Sequence, residues 1–425
     1  MNAAPTLREA SCADDYDPNS MPVERARTLI RDYLEPVTTI ERVHIRQALG
    51  RTLAGDLASP IDVPGHDNSA MDGWAVRFED LAAGAETTLK RVGESFAGRP
   101  HAGRVGPGEA VRIFTGGVMP DGADTVVMQE RADDRGDRVV VAAGAVGKRG
   151  QNRRFAGEDL KAGGIVFRRG QALRPAEIGM LASLGINEVP VYRKLVVAFF
   201  STGDELVSIG TPLATGQIYD SNRYTIGAML ARIGCETIDL GVVADVPEAL
   251  EQAFRSAAAS ADVVITSGGV SVGEADYVKS LLDRLGEVVF WKIAMKPGRP
   301  LAYGRIGDAH FFGLPGNPVS VMVTFYQFVR DALLALQGRT GIEPMPTFQA
   351  RLAAPLRKAP GRTEFQRGVL ARANDGGWAV RPTGDQGSGI LSSMAQANGF
   401  IVLPEQTGNL DAGSEVEVQL LEGLI

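Results

Sequence analysis

Apolar residues at Val23, Ala26, Leu29, Ile30, Tyr33, Leu34 and Val37 recur at the interval that gathers them on one helical face, with Pro36 to end the helix. The texture changes over 58–149, where short β-branched runs such as 124–129 and 138–141 are split by Gly and Pro. That pattern predicts a small β-rich domain. A Gly- and Arg-rich connector over 147–170 leads to a helix at 175–184, closed by Gly185. From Lys194 strands and helices alternate. Apolar runs at 195–200, 236–240, 263–266 and 288–293 read as strands. The segments 224–233, 247–258 and 275–285 read as helices between them, with Gly234 and Gly286 placed as C-caps. Such alternation predicts a mostly parallel sheet covered by helices on both faces, with ligand loops at the carboxyl ends of its strands. A strand at 309–312 and a long apolar helix over 319–336 close this domain. Beyond Pro344, short strands at 347–352, 364–370, 400–403 and 415–420 predict a barrel or sandwich.

A chain of 425 residues exceeds one core of ordinary size and predicts three or four folding units. Its net charge of −7 argues against a nucleic-acid partner, because binding a phosphate backbone relies on surplus Lys and Arg. No apolar run of membrane-spanning length stands out, and residues 1–20 read as a polar, acidic lead-in without the features of a secretion signal. Cys12 and Cys235 are the only cysteines and the four histidines are scattered, so neither a disulfide framework nor a zinc cluster is expected. A cytoplasmic protein with no membrane partner is the resulting expectation.

The densest chemistry lies between Asp262 and Arg299. Ser267-Gly268-Gly269-Val270-Ser271 follows a strand and precedes a helix; glycines there let backbone N–H groups wrap a phosphate, although a tight strand-to-helix turn needs glycine equally. Glu274 and Asp276 fall in the next helical turn, where acids either complement the helix dipole or hold a divalent cation. Asp204 and Glu205 follow another strand, and Asp245 ends a third before Pro247, a position that also suits helix capping. Three carboxylate-bearing loops on one sheet edge favour the cation. Lys292 and Lys296 are spaced to share one face of an extended segment, with Trp291, Ile293 and Met295 opposite, which favours contact with an anion. Pro315-Gly316-Asn317-Pro318 opens the long helix, with Asn317 placed to cap it or to help turn the helix N-terminus toward an anion.

Ten segments, in order between residues 67 and 399, resemble the molybdopterin molybdenumtransferase family, the MoeA type that includes the gephyrin E domain. They are DNSAMDGWA (67–75), IFTGGVMPDGADTVV (113–127), RRFAGEDL (153–160), STGDEL (201–206), GQIYDSN (216–222), TSGGVSVGEADYVK (266–279), WKIAMKPGRP (291–300), LPGNPVS (314–320), EFQRG (364–368) and SGILSSMAQANG (388–399). Trp74 stands where tyrosine is usual, and Arg299 where lysine is also common. The resemblance implies a multidomain α/β plus β fold. Its parts are a discontinuous linker domain (20–57 and 150–190), a β-rich insert (58–149), a central molybdopterin-binding α/β domain with a mostly parallel sheet (191–340) and a C-terminal β-barrel (341–425). It also implies a homodimer in which the insert of one subunit helps build the site of the other.

The implied reaction converts adenylylated molybdopterin and molybdate to molybdenum cofactor with release of AMP, assisted by Mg²⁺. Glu205, Asp245 and Asp276 would organise the cation, and Asp72 would come from the partner subunit. Lys292 and Lys296 would neutralise anionic charge, joined by Arg299. Thr115, Ser267, Gly268, Gly269, Ser271, Pro315, Gly316 and Asn317 would line the substrate pocket, with Arg367 and Ser388 on the oxyanion. Contacts with a molybdopterin adenylyltransferase and with apo-molybdoenzymes follow from the same resemblance. An adenylyltransferase of molybdopterin and a non-catalytic cofactor carrier or scaffold are the alternatives.

Overall fold

The computed structural model of the chain describes Leu7 and residues 20–269 and 276–421, with the side chains of 276, 277 and 290 excepted. The acidic lead-in, Ser271 and Glu274 therefore lie outside the described residues. The chain forms two compact units, Gly55–Arg169 with Gly179–Asn187, and Met1–Ala54 with Gly170–Ile178 and Glu188–Ile425. Each is described by itself.

The smaller unit is built on a six-stranded sheet in the order Thr125–Met128, Gly73–Val76, Glu109–Ile113, Thr87–Ser95, Arg138–Val141, Ala132–Asp134. Alternate residues serve opposite faces: Trp74, Val76, Ala110 and Val127 enter one apolar cluster, and Ala75, Val111, Ile113 and Val126 another. Because both faces are covered, these strands read as continuous apolar runs.

The larger unit carries the α/β sheet, ordered Glu236–Val243, Val196–Thr202, Val263–Ser267, Ala309–Leu314, Pro300–Ile306, Gly286–Lys292. The first four strands are parallel. Pro300–Ile306 then runs antiparallel to both of its neighbours, a strand the apolar pattern does not single out. Val197, Phe199 and Ile265 pack with Ile226 and Leu230 of the Ser221–Ile233 helix. Ala198, Phe200 and Val264 face Leu250 and Phe254 of Pro247–Ser260 and Leu281 and Leu282 of Asp276–Leu285. Alternation along the strands thus places helices on both faces.

Several local expectations change. The first helix ends at Asp32 rather than near Pro36, since the residue before a proline is pushed out of the helical region. Gly234 is the expected left-handed C-cap (φ 80°). Gly286 instead opens a strand opposite Ile306, where a Cβ would stand 1.9 Å from the Arg305 carbonyl oxygen. Asp245 is not the cap of the following helix: Val246 holds that position, with no side-chain cap bond. The Pro318–Leu336 helix is long and apolar enough to cross a membrane by length and composition, against the expectation of no such run, but its residues form the core of this unit. A π-helical turn, Phe325–Val329, interrupts it.

At the C-terminal end, Thr363–Arg372 pairs with both Trp378–Pro382 and Gly399–Leu403. Thr347–Leu352 and Glu415–Leu420 complete a closed five-stranded barrel. Closure leaves no free edge for pairing with another chain.

Asp262, just before a central strand, ties the foot of the sheet together: Arg193 Nη1 donates to Oδ2 at 2.7 Å and the Val196 N–H at 2.8 Å. Burial acts to raise the pKa of this carboxyl, but the Arg193 fork and the Val196 N–H outweigh it and hold it below the ordinary value. The carboxylate therefore adds stability above the ordinary Asp range, and that stability is lost as pH falls through the depressed value. Asp262→Asn is expected to lower unfolding stability by roughly 2 kcal/mol at neutral pH. Denaturant titrations should show the gap between variant and wild type closing as the pH falls below about 4.

Candidate active site

Four loops meet at the carboxyl edge of the parallel strands around a cleft of about 750 Å³. Thr202, Gly203, Asp204 and Glu205 come from the first, Asp245 from the second, Ser267, Gly268 and Gly269 from the third, and Gly316, Asn317 and Pro318 from the fourth. Gly389 and Leu391, near the barrel, close one side. Parallel strands end at one edge, so their loops converge without any one of them being long.

The third loop depends on glycine. Gly268 has φ 92°, and a Cβ there would meet the Thr202 carbonyl oxygen at 2.3 Å; its N–H donates to the Leu314 carbonyl at 3.1 Å. Gly269 follows at φ 69°. Beneath them Asn222 Nδ2 donates to Ser267 Oγ (2.8 Å) and to the Gly316 carbonyl (2.6 Å), and the Ser267 hydroxyl donates to the Pro315 carbonyl at 3.3 Å. This network locks the third and fourth loops together. Asn222 Oδ1 is buried without a partner among the described residues.

Asp220 is 1% exposed; it caps the Ser221–Ile233 helix through the Arg223 N–H (3.2 Å) and accepts the Ser201 hydroxyl at 3.0 Å. Asp245 accepts the Thr202 hydroxyl at 3.4 Å, and Glu205, three residues after Thr202, is exposed. Asn317 occupies the N-cap position of the long helix with no side-chain cap bond, so the first N–H groups of that helix are not taken by it.

Of the residues expected at the site, Glu205, Asp245, Ser267, Gly268, Gly269, Gly316 and Asn317 line this one cleft. Pro315 contributes its carbonyl from below. Lys292, Lys296, Arg299 and Arg367 do not line it. A bend at Ala294 breaks the extended run between the two lysines, although Trp291, Ile293 and Met295 are buried as expected. Lys292 ends the outermost strand, and Lys296 Nζ lies 3.5 Å from the buried Glu364 carboxylate. Arg299 is exposed. Arg367 is 1% exposed, with Nε donating to Ser393 Oγ at 3.0 Å and Nη2 to the Gly387 carbonyl at 2.9 Å. Burial pushes its pKa down to about 10, against the pull of Asp385. It holds the loop that carries Ser388, whose carbonyl accepts the Val319 N–H at 3.1 Å.

Residues 21–185 match the MoeA N-terminal region (domain I and II), 198–335 a probable molybdopterin binding domain, and 349–421 the MoeA C-terminal region (domain IV). A molybdopterin molybdenumtransferase of Haemophilus influenzae is 45% identical over 95% of this chain and 99% of its own. The chain belongs to the molybdopterin molybdenumtransferase family. A second member, from Nostoc sp., is 39% identical over 89% of this chain and 88% of its own. The fold agrees: the crystal structure of the molybdopterin biosynthesis moeA protein from Pyrococcus horikoshii OT3 superposes with a TM-score of 0.82 at 31% identity, covering 94% of this chain and 100% of that one.

In this MoeA-type chain the smaller unit brings three of the family segments together. The Asp72 carboxylate accepts both the N–H (2.7 Å) and the hydroxyl (2.8 Å) of Thr115. These two bonds, with the charge of Arg112, hold it below the usual carboxylate range. Arg153 pairs with Asp67, whose other oxygen accepts the Ala156 N–H at 2.8 Å. Thr202, Asp220 and Asn222 were missed as site residues. The segment GQIYDSN was legible as a family mark, but nothing in its spacing shows that Asn222 reaches two loops about 45 and 94 residues further on.

Proposed function

We propose that the protein is a molybdenum insertase, converting adenylylated molybdopterin and molybdate to molybdenum cofactor and releasing AMP. The observation that carries this reading is the cleft itself. Four acidic residues, Glu205 and Asp245 among them, a glycine turn and a helix N-terminus share one cavity, in a chain that is 45% identical to a molybdopterin molybdenumtransferase. Metal plus phosphate is what such a combination suits.

Among the described residues no three His, Cys, Asp or Glu side chains gather as a ready-made metal cage. Mg²⁺ does not ask for one, since it is bound through one or two carboxylates together with water and substrate phosphate. Glu205 and Asp245 would hold it, with Asp276 at the start of the facing helix. The bound cation would supply charge neutralisation at the phosphoanhydride. The chain's own residues then bind and orient. Gly268 and Gly269 admit the phosphate closely, Asn222 Oδ1 accepts a donor from the substrate, and the helix starting at Pro318 opposes negative charge. Water adds to phosphorus as the phosphoanhydride opens, leaving AMP and the phosphate monoester of molybdopterin. Lys292 and Lys296 offset the charge of the incoming molybdate, with Arg299. The oxyanion contact expected of Ser388 depends on the loop that Arg367 holds.

The reading extends to a homodimer in which Asp72 and Thr115 of one subunit serve the cleft of the other. What supports it is that Thr115 fastens Asp72 while itself exposed, with Asp72 only half-buried. Protein carrying Asp72→Ala mixed with protein carrying Asp276→Ala should regain activity in heterodimers, up to about a quarter to a half of wild type by site counting. Heterodimers with no gain over either parent would remove the shared site.

The direct test supplies adenylylated molybdopterin with and without molybdate. AMP release that requires molybdate is expected. ATP consumption without molybdate would mark an adenylyltransferase, and cofactor binding without turnover would mark a carrier.

A further inference from the structure

We infer that a second cavity of the larger unit binds a small organic oxyanion with a compact apolar body. It measures about 210 Å³ and shares no lining residue with the cleft. Arg232, at the end of one helix, Arg330, in the middle of the long helix, and Arg339, just beyond it, line it together. Phe325, Tyr326 and Met345 supply apolar wall, and no lining residue among the described residues is acidic. Three arginines around one space, one from the Ser221–Ile233 helix and two from the long helix and its exit, make a cationic site with an apolar floor.

Arg339 shows the strain of that arrangement. Its Nη2 donates to the Gly50 carbonyl at 2.8 Å, but its Nε is buried with no partner among the described residues. Burial, and then the positive charge of Arg330, lower its pKa. Asp331 answers Arg330 at 2.5 Å from outside the cavity. An oxyanion between the guanidinium groups would relieve both the orphaned donor and the like-charge contact, with the planar forks Arg offers and Lys does not. The π-helical turn runs along the same wall, carrying Phe325 and Tyr326, and such turns recur at binding sites. The volume lies below the roughly 300 Å³ at which sites for larger ligands begin. A monocyclic or short aliphatic anion fits that class; the adenylylated substrate does not.

Phenyl phosphate is the probe, titrated into the full-length protein by calorimetry and followed by ligand-observed NMR. Saturable binding is expected, at least about tenfold tighter than inorganic phosphate, which has no body to cover the apolar wall. Arg330→Met, which removes charge, and Leu334→Phe, which narrows the cavity, should each weaken it at least about tenfold. Unchanged thermal midpoints would show that both variants fold. Excess AMP should leave the probe in place. No binding to wild type, equal binding to both variants, or displacement by AMP would each overturn the inference. So would binding that arises only after residues 422–425 are deleted, because the chain's own end would then be the occupant.

Discussion

Protein carrying Glu205→Gln together with Asp245→Asn is expected to release AMP from adenylylated molybdopterin at least about 10³-fold more slowly than wild type. Both side chains line the cleft, on loops that end neighbouring strands of one parallel sheet. Amides keep the size and shape of the carboxyl groups, so the cavity should persist while its capacity to hold a divalent cation is lost. Glu205 is exposed and Asp245 only half-buried, which predicts a denaturation midpoint within experimental error of wild type. Excess Mg²⁺ should recover part of the activity in each single variant and none in the pair, because a single remaining carboxylate still offers a ligand. A pair that turns over at the wild-type rate would remove these groups from the reaction.

Gly268→Ala should be the most damaging conservative change in the chain's site, lowering unfolding stability by at least about 2 kcal/mol and abolishing turnover. A left-handed backbone costs an L-residue about 1–2 kcal/mol. The contact adds to that cost, since the new methyl would press on the Thr202 carbonyl oxygen at 2.3 Å. Backbone cannot rotate away as a flexible side chain can. Gly210 provides the comparison: its φ is 89°, nearly that of Gly268, yet a Cβ there meets nothing within 4 Å. Gly210→Ala should therefore show the conformational cost alone. Denaturant midpoints of the two variants, measured side by side, separate strain from collision. Equal midpoints would mean that the glycine turn yields easily and does not define the cleft.

Much of this architecture is legible where a local rule and the tertiary packing agree. The strand beginning at Val196 reads correctly because both of its faces are buried, and Gly234 because a helix end needs a left-handed residue. Gly286 obeys a different rule from Gly234. A glycine after a helix signals a cap, yet the same residue type is demanded wherever another backbone passes closely, and the Arg305 carbonyl does so here. Pro300–Ile306 was overlooked because its run carries Gly304 and Arg305 and its partners lie on both sides of it in space. The lysines illustrate the limit on spacing arguments: Lys292 and Lys296 share a face only while the chain stays extended, and the bend at Ala294 ends that.

The chain's own pattern determined most of the helices and strands, which loops follow parallel strands, and which family the segments belong to. These depend on near neighbours along the backbone and on periodicity. Convergence is another matter. Asn222 joining the Ser267 and Gly316 loops, Arg367 spending its guanidinium on Ser393 and Gly387, and three arginines surrounding one small cavity were decided only in the folded structure. Hydrogen bonds and like charges act over a few ångströms, so their partners exist only once packing has brought distant segments that close.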